Sequence, residues 1–144
     1  MNRIKDLNKK ASSFSFGKVA ENGAVFLFGG ILYVMSELLY RGFTHITMFF
    51  AGGICLLIMY VCEKKLSGTR LYKRCILYAF AVTFVELGFG VVFNMVLDMN
   101  VWDYSDEPLN FLGQICPEFV FMWLFLSLPA IFICGKLRSL FKKW

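Results

Sequence analysis

The sequence predicts an all-α membrane protein with four transmembrane helices, and two observations carry this prediction. Hydrophobic residues make up 58% of the 144 residues and aromatic residues 18%, whereas an ordinary soluble domain is roughly 45–50% apolar. Four apolar runs are each close to the ~20 residues that a helix needs to cross a bilayer. They cover residues 22–40, 44–62, 75–97 and 117–134.

The positions of the basic residues predict the orientation. Of the 15 Lys and Arg residues, only Arg41 lies outside three segments that the apolar runs separate, at residues 1–21, 63–74 and 135–144. Cytoplasmic loops of membrane proteins carry an excess of Lys and Arg. We therefore expect a basic N-terminal segment (1–21), a four-helix domain (22–134) with an outer loop at 98–116, and a basic tail (135–144), with both termini in the cytoplasm.

Both basic termini have the pattern of membrane-surface anchors. Apolar residues recur at loosely helical spacing among the lysines of the N-terminal segment, which favours an amphipathic helix lying in the interface over a basic tether without fixed structure. The tail shows a similar alternation and should continue the last helix along the headgroups. The net charge of +5 suits anionic lipid headgroups as partners rather than nucleic acid, because no nucleic-acid-binding motif accompanies it.

Glycine pairs lie inside the first two predicted spans, at Gly29-Gly30 and Gly52-Gly53, and Gly88 and Gly90 lie inside the third. Small residues let helix backbones approach closely in a bilayer, so the pairs predict tight helix packing. A close approach of a ligand, or a hinge, is the alternative interpretation.

Glu86 lies near the middle of the third predicted span. An ionised carboxylate at that depth costs several kcal/mol unless it is paired, hydrated or protonated, so it is a candidate functional residue. The alternative is a protonated glutamate that bonds a neighbouring helix and serves only packing.

Three polar residues surround the short turn between the first two spans. Glu37 and Arg41 are four residues apart and can form an ion pair on one helical face. His45 lies close by, as an interfacial hydrogen-bonding histidine or, alternatively, a proton relay or metal ligand.

Two further polar residues extend this set. Asn94 lies about two helical turns above Glu86 on a similar face, and Glu118 begins the fourth span, where a carboxylate also gains from the helix dipole. If all these polar residues line one shared cavity, they form a pathway from the outer surface to the midplane of the membrane. The alternative is that each group is hydrogen-bonded separately between helices. The candidate pathway residues are Glu86, Asn94, Glu118, Glu37, Arg41 and His45.

The outer loop is acidic and aromatic. Asp103, Asp106 and Glu107 occur there without any Lys or Arg, while its aromatic residues suit the membrane interface. We expect the loop to fold back onto the helix ends as a cap. A bound cation is the alternative, but the spacing of the carboxylates matches no metal-binding loop, so we expect no metal. The candidate loop residues are Trp102, Asp103, Tyr104, Ser105, Asn110 and Gln114.

Enzyme chemistry finds little support. The chain has no phosphate-binding glycine loop, no nucleophile elbow and no metal-binding pair of Cys or His, and it has one histidine in total. We therefore expect neither an enzyme nor a cofactor.

One ordered string of residues resembles a known family, that of the bacterial membrane proteins described as putative ABC-transporter type IV permeases, CmpB-like. The string runs from Glu86 to Trp123 through Gly90, Asn94, Trp102-Asp103-Tyr104-Ser105, Pro108, Asn110 and Gly113-Gln114-Ile115-Cys116. The Tyr40-Arg41-Gly42 turn and the Gly52-Gly53 pair also fit short members. The resemblance covers about residues 37–123 and implies a permease-type protein of the bacterial inner membrane.

Two functions from different classes follow as hypotheses. The first is a small transport or channel subunit with an outward-opening polar cavity centred on Glu86, with a pathway between protomers of a homo-oligomer or with a partner membrane protein. The second is a non-transporting accessory or sensor protein that binds a lipid, a small ligand or a partner membrane protein through residues 102–111.

Overall fold

The computed structural model describes the backbone of residues 2–142 and the side chains of residues 17–142. Within that part of the chain all regular elements are helical, which confirms the all-α prediction. The helices are α1 (Asn2–Arg41), α2 (Ile46–Leu66), α3 (Leu71–Phe89), a π-helical segment (Gly90–Val96) that continues α3, and α4 (Pro117–Phe141).

Four of these stretches are long and apolar enough to cross a membrane: Gly17–Arg41, Ile46–Leu66, Leu71–Val96 and Pro117–Phe141. The chain is therefore a multi-pass membrane protein, as predicted. Successive spans run in opposite directions. We call the end that carries residues 97–116 the loop end, and the end with residues 67–70 and the C-terminus of α4 the basic end. That the basic end faces the cytoplasm stays a prediction.

The segment between the second and third predicted spans, residues 63–74, is shorter as a connection than the apolar runs predict, because α2 continues to Leu66 and α3 begins at Leu71. The charged residues after Cys62 are compatible with a helix because Glu and Lys have good helix propensity, and the buried Glu63 is paired. Arg74 lies 2.6 Å from its Oε2, and the Tyr78 hydroxyl donates to its Oε1 at 2.7 Å.

The helix α1 is continuous in its backbone from Asn2. The amphipathic pattern that predicts an interfacial helix falls on side chains of residues 1–16, which lie outside the described ones. The interfacial placement therefore stays a prediction.

The closest helix packing is between α1 and α2. A Cβ added at Gly29 would lie 2.7 Å from the Gly52 carbonyl oxygen and 2.6 Å from the Leu56 Cβ. The first two glycine pairs thus let these backbones touch, as predicted. Gly88, by contrast, has nothing within 4 Å of an added Cβ, so it takes no part in packing.

Three tyrosine hydroxyls donate to glutamates of other helices. Tyr60 of α2 bonds Glu21 of α1, Tyr78 of α3 bonds Glu63 of α2, and Tyr33 of α1 bonds Glu86 of α3. Each bond joins a different pair of helices.

Two apolar clusters form the core. The cluster toward the basic end contains Val25, Leu56, Tyr78, Ile131 and Cys134, among others. Toward the loop end, Val101 and Trp102 pack against Met48 and Ala51. The loop therefore folds back onto the helix ends, as its apolar residues predict.

Candidate functional site

Glu86 lies at the centre of the bundle with only 5% of its surface exposed. The Tyr33 hydroxyl donates to its Oε1 at 3.1 Å, and the Trp123 indole Nε1 donates to its Oε2 at 2.7 Å. The two donors come from α1 and α4, and their rings are stacked with centroids 5.7 Å apart. Glu86 on α3 thus connects three helices.

This arrangement offsets the cost of burying a polar group. Each carboxylate oxygen accepts one hydrogen bond, and a buried polar group is tolerated when it is bonded in this way. The geometry fits both interpretations of Glu86 that the sequence left open, because a packing role and a functional role each require partners at this depth.

A cavity of about 310 Å³ lies between α1 and α4, next to the loop. We call it the loop-end cavity. Glu37 and Arg41 line it together with Ser36, Met122 and Leu126. The other half of its lining is aromatic: Tyr33, Tyr40, Tyr104, Phe119 and Trp123.

A second cavity of about 230 Å³ lies between α1, α2 and α4, nearer the basic end. We call it the middle cavity. Tyr33 and Trp123 line both cavities. The stacked pair that bonds Glu86 therefore stands at the boundary between the two cavities.

Glu37 and Arg41 form an ion pair at 2.5 Å between Glu37 Oε1 and Arg41 Nη2. The Thr44 hydroxyl donates to Glu37 Oε2 at 2.6 Å, and Arg41 Nη1 donates to the Val101 carbonyl at 3.4 Å. The predicted pair is thus formed, and it connects α1 to the turn and to the loop. Because its charges compensate each other, the pair adds no net charge to the loop-end cavity.

Tyr104 brings the loop into the cavity wall. Its ring stacks on Phe119 of α4 with centroids 4.3 Å apart. Burial is the main cause that raises the pKa of the Tyr104 hydroxyl, and the Glu86 carboxylate adds to it. Tyr104 therefore remains a neutral hydroxyl at physiological pH.

Asn94 holds the loop on the bundle. Its Nδ2 donates to the Trp102 carbonyl at 2.9 Å and to Gln114 Oε1 at 2.8 Å, and its Oδ1 accepts from the Val101 backbone N–H at 2.7 Å. A Cβ added at Gly90 would lie 2.5 Å from Gln114 Oε1, so this glycine makes room for the amide. These contacts involve the π-helical segment, a geometry that occurs frequently at functional sites.

The acidic part of the loop is bonded within itself. Asp103 Oδ1 accepts from the Ser105 hydroxyl at 2.5 Å and from its backbone N–H at 2.9 Å, and these bonds lower the pKa of the Asp103 carboxyl. Asn110 donates to the Ser105 carbonyl at 3.0 Å. Among the described residues, no group of three or more His, Cys, Asp or Glu is placed to hold a metal ion.

The structure brings some of the predicted pathway residues together and separates others. Glu37 and Arg41 line the loop-end cavity, whereas Glu86 lies behind Tyr33 and Trp123. The remaining three are outside its lining: Asn94 bonds the loop, Glu118 is exposed in the first turn of α4, and His45 caps α2 by accepting from the Thr47 N–H at 3.3 Å.

Sequence reasoning did not identify the partners of Glu86. Tyr33 and Trp123 occupy the same depth in their predicted spans as Glu86 does in its own, and matching residues by depth was the signal that could have found them. The pairing of Glu63 is not predictable in this way, because Glu63 lies beyond the end of the second apolar run.

No solved structure matches the chain. A family model does match, and it covers residues 16–143. The family is described as putative ABC-transporter type IV, of CmpB type, and it includes the Glu86 centre, the loop and all four spans. The chain therefore belongs to this family of transporter-type membrane proteins, as its loop motif predicted.

Proposed function

We propose that this chain is the membrane-embedded subunit of a transport system, and that the loop-end cavity receives the solute from the outer side of a bacterial inner membrane. The observation that carries the proposal is the floor of this cavity. The stacked rings of Tyr33 and Trp123 line both this cavity and the middle cavity, and a buried carboxylate on a third helix accepts a hydrogen bond from each of them. Rings shared by two cavities are a candidate gate, which alternating access requires.

The chemistry of the walls favours an organic cation as the solute. Aromatic faces attract cations through their quadrupole, and five aromatic residues line this cavity. Arg41 does not oppose a cation strongly, because Glu37 compensates its charge at 2.5 Å. Behind the floor lies the carboxyl group of Glu86, whose side-chain partners are Tyr33 and Trp123 and which has no cationic partner among the described residues.

Features of α4 supply a way to open the floor. Pro129 lies inside this helix, so one backbone hydrogen bond is missing there. The Ser127 hydroxyl bonds the Trp123 carbonyl at 2.7 Å, and such bonds to the preceding turn often bend helices. Bending of α4 at this point would withdraw Trp123 from Tyr33 and join the two cavities.

The test uses purified protein in liposomes and, as the probe, tetraethylammonium, an organic cation that does not readily cross a lipid bilayer by itself. We expect the wild type to bind the probe and to move it across the bilayer, and Glu86→Gln to weaken both. Glu118→Gln is the matched control, since it removes a carboxylate of α4 that is exposed and outside the cavity lining. Proton and potassium flux are measured in the same liposomes to detect a channel.

Two results would refute the proposal. If no probe binds to the wild type, the solute class is wrong. If Glu118→Gln reduces binding as much as Glu86→Gln, the effect comes from surface charge and the cavity has no role.

The accessory or sensor function is supported by a different observation, the exposed apolar tip of the loop. Leu109 is 86% exposed and Leu112 54%, and both have left-handed backbone angles, with φ of 57° and 56°. Non-glycine residues hold such angles only where the surrounding structure enforces them. Purification in mild detergent distinguishes the two functions. An ATPase that copurifies supports transport, and a homo-oligomer with flux supports a self-contained transporter. An unrelated membrane protein that copurifies with the wild type and is released by Leu109→Ser supports the accessory role.

A further inference from the structure

The basic end contains a third cavity, which the proposed transport function does not use. Its volume is about 320 Å³, and it lies between α1, α2 and α4. Four cationic side chains line it, and Glu21 is the one carboxylate among the lining residues. The cations are Lys18 of α1, Lys64 of α2, and Arg138 and Lys142 of α4.

The single carboxylate is already engaged. Tyr60, which is 6% exposed, donates its hydroxyl to Glu21. The Arg138 guanidinium lies over the same Tyr60 ring, 6.0 Å from its centroid. The Tyr60 side chain thus contacts both Glu21 and one of the four cations, Arg138. The cationic side chains of the cavity outnumber its carboxylate four to one.

The position of this cavity relative to the membrane indicates which kind of anion it can bind. Lys18 and Lys142 lie at the ends of the membrane-spanning stretches of α1 and α4, where lipid headgroups lie. The lining also contains the apolar residues Val61, which is 51% exposed, and Phe141, and exposed apolar side chains accommodate an acyl chain beside the charged groups. A basic site between transmembrane helices at a membrane surface is suited to anionic lipid headgroups.

We propose that the cavity lined by Lys18, Lys64, Arg138 and Lys142 binds the phosphate-containing headgroup of an anionic phospholipid from the leaflet at the basic end. The headgroup bridges α1, α2 and α4, so a bound lipid holds together three helices at the basic end. This site is specific, because it depends on side chains of three helices that converge, and it differs in this from a general attraction of the basic termini to the membrane.

The test compares two double variants with the same change of charge on the same two helices. Lys64→Gln/Arg138→Gln removes two cations from the cavity lining. Lys65→Gln/Lys136→Gln removes two exposed cations of α2 and α4 that are outside it. Delipidated protein is titrated with phosphatidylglycerol, phosphatidylcholine and inorganic phosphate, and binding is followed by native mass spectrometry and by the thermal unfolding midpoint.

We expect phosphatidylglycerol to bind and to raise the midpoint, and phosphatidylcholine to do so much less. Each cation near the surface contributes about 1 kcal/mol, so the cavity variant should bind roughly 10- to 30-fold more weakly. The control variant should keep most of the affinity. If the cavity variant unfolds without lipid at a lower temperature, the single Lys142→Gln variant replaces it, with about a fivefold loss expected.

Three outcomes would overturn the proposal. Equal losses in the two double variants would mean that general surface charge attracts the lipid. Equal binding of phosphatidylglycerol and phosphatidylcholine would mean that the headgroup charge is not recognised. Displacement of the lipid by inorganic phosphate at similar concentration would identify the ligand as a free anion.

Discussion

Replacing Glu86 with glutamine and with leucine separates the hydrogen bonds of this residue from its charge. The Trp123 indole is only a donor, whereas the Tyr33 hydroxyl donates or accepts. In Glu86→Gln the amide oxygen can accept from Trp123, and the amide N–H can donate to the Tyr33 oxygen once that hydroxyl rotates. Both contacts survive and only the Tyr33 O–H proton loses its acceptor, so we expect the free energy of unfolding to fall by about 1 kcal/mol.

In Glu86→Leu both donors lose their acceptor. They are bonded to Glu86 at 2.7 and 3.1 Å, and a buried polar group left without a partner costs about 1–3 kcal/mol. The expected loss is therefore about 2–6 kcal/mol, and at about 2–4 °C per kcal/mol the unfolding midpoint should fall by on the order of 10 °C. Trp123→Phe, which removes one donor, should fall in between.

The native cysteines supply the assay. Cys55, Cys75 and Cys134 are buried, with 8%, 4% and 0% exposure, so a fluorogenic thiol reagent reports their release as the detergent-solubilised protein unfolds. Midpoints equal to the wild-type value for both the leucine and the glutamine variant would refute the reasoning, because Tyr33 and Trp123 would then have no need of an acceptor. A glutamine variant as unstable as the leucine variant would show that the charge, and not the bonds, is what matters.

Three further predictions concern orientation, packing and pH. In a background without the native cysteines, Asp106→Cys should react with a membrane-impermeant thiol reagent in intact cells and Ser67→Cys should not; labelling of both would contradict the orientation that the basic residues predict. Gly29→Ala should lower the free energy of unfolding by about 1–3 kcal/mol through overpacking, since its Cβ would lie 2.6 Å from Leu56. Gly88→Ala, with open space around it, should be neutral or stabilising in the same unfolding assay. Similar losses in the two variants would disprove the close contact of α1 and α2. The pKa of the Asp103 carboxyl should lie below the ordinary aspartate pKa of about 3.9, because Ser105 donates hydrogen bonds to its charged form. These bonds stabilise the loop at pH values above the ordinary pKa, and the stabilisation is lost as pH falls through the lowered pKa. Ser105→Ala should move the titration, followed by carboxyl NMR, back up, and an unchanged titration would count against these bonds.

The spans were predictable because hydropathy and charge depend on composition over a window of residues. The end of α2 was not, because hydropathy marks where the apolar run ends, whereas Glu and Lys favour a helix and let α2 continue through Glu63, Lys64 and Lys65. The pairing of Glu63 with Arg74 and Tyr78 across the turn was not predictable either. A contact of this kind depends on how two helices face each other, which a window of sequence does not contain.

In the candidate site, too, some features were predictable from the sequence and others were not. The depth of Glu86 singled it out, and Glu37 and Arg41 were paired by their spacing. The direction in which each side chain faces was not available, because these spans are apolar on all sides and carry little helical periodicity. The position of Asn94 two turns above Glu86 thus predicts a pathway residue, whereas its side chain bonds Trp102 and Gln114 of the loop. The π-helical segment was likewise not foreseen.

The three tyrosine–glutamate bonds have a consequence for how the bundle assembles. A helix with an apolar surface gains little from turning one side rather than another toward its neighbours in a bilayer, because lipid tails are as apolar as its own side chains. A hydroxyl that must meet a carboxylate removes this freedom, since it fixes the rotation of both helices about their long axes. Each hairpin, α1 with α2 and α2 with α3, carries one such bond, and can be fixed as soon as its second span has been inserted. The bond of Tyr33 to Glu86 then joins the first span to the third. All three bonds can therefore form in the order in which the helices are synthesised. When the last helix is inserted, the rotation of the first three helices about their long axes is already fixed.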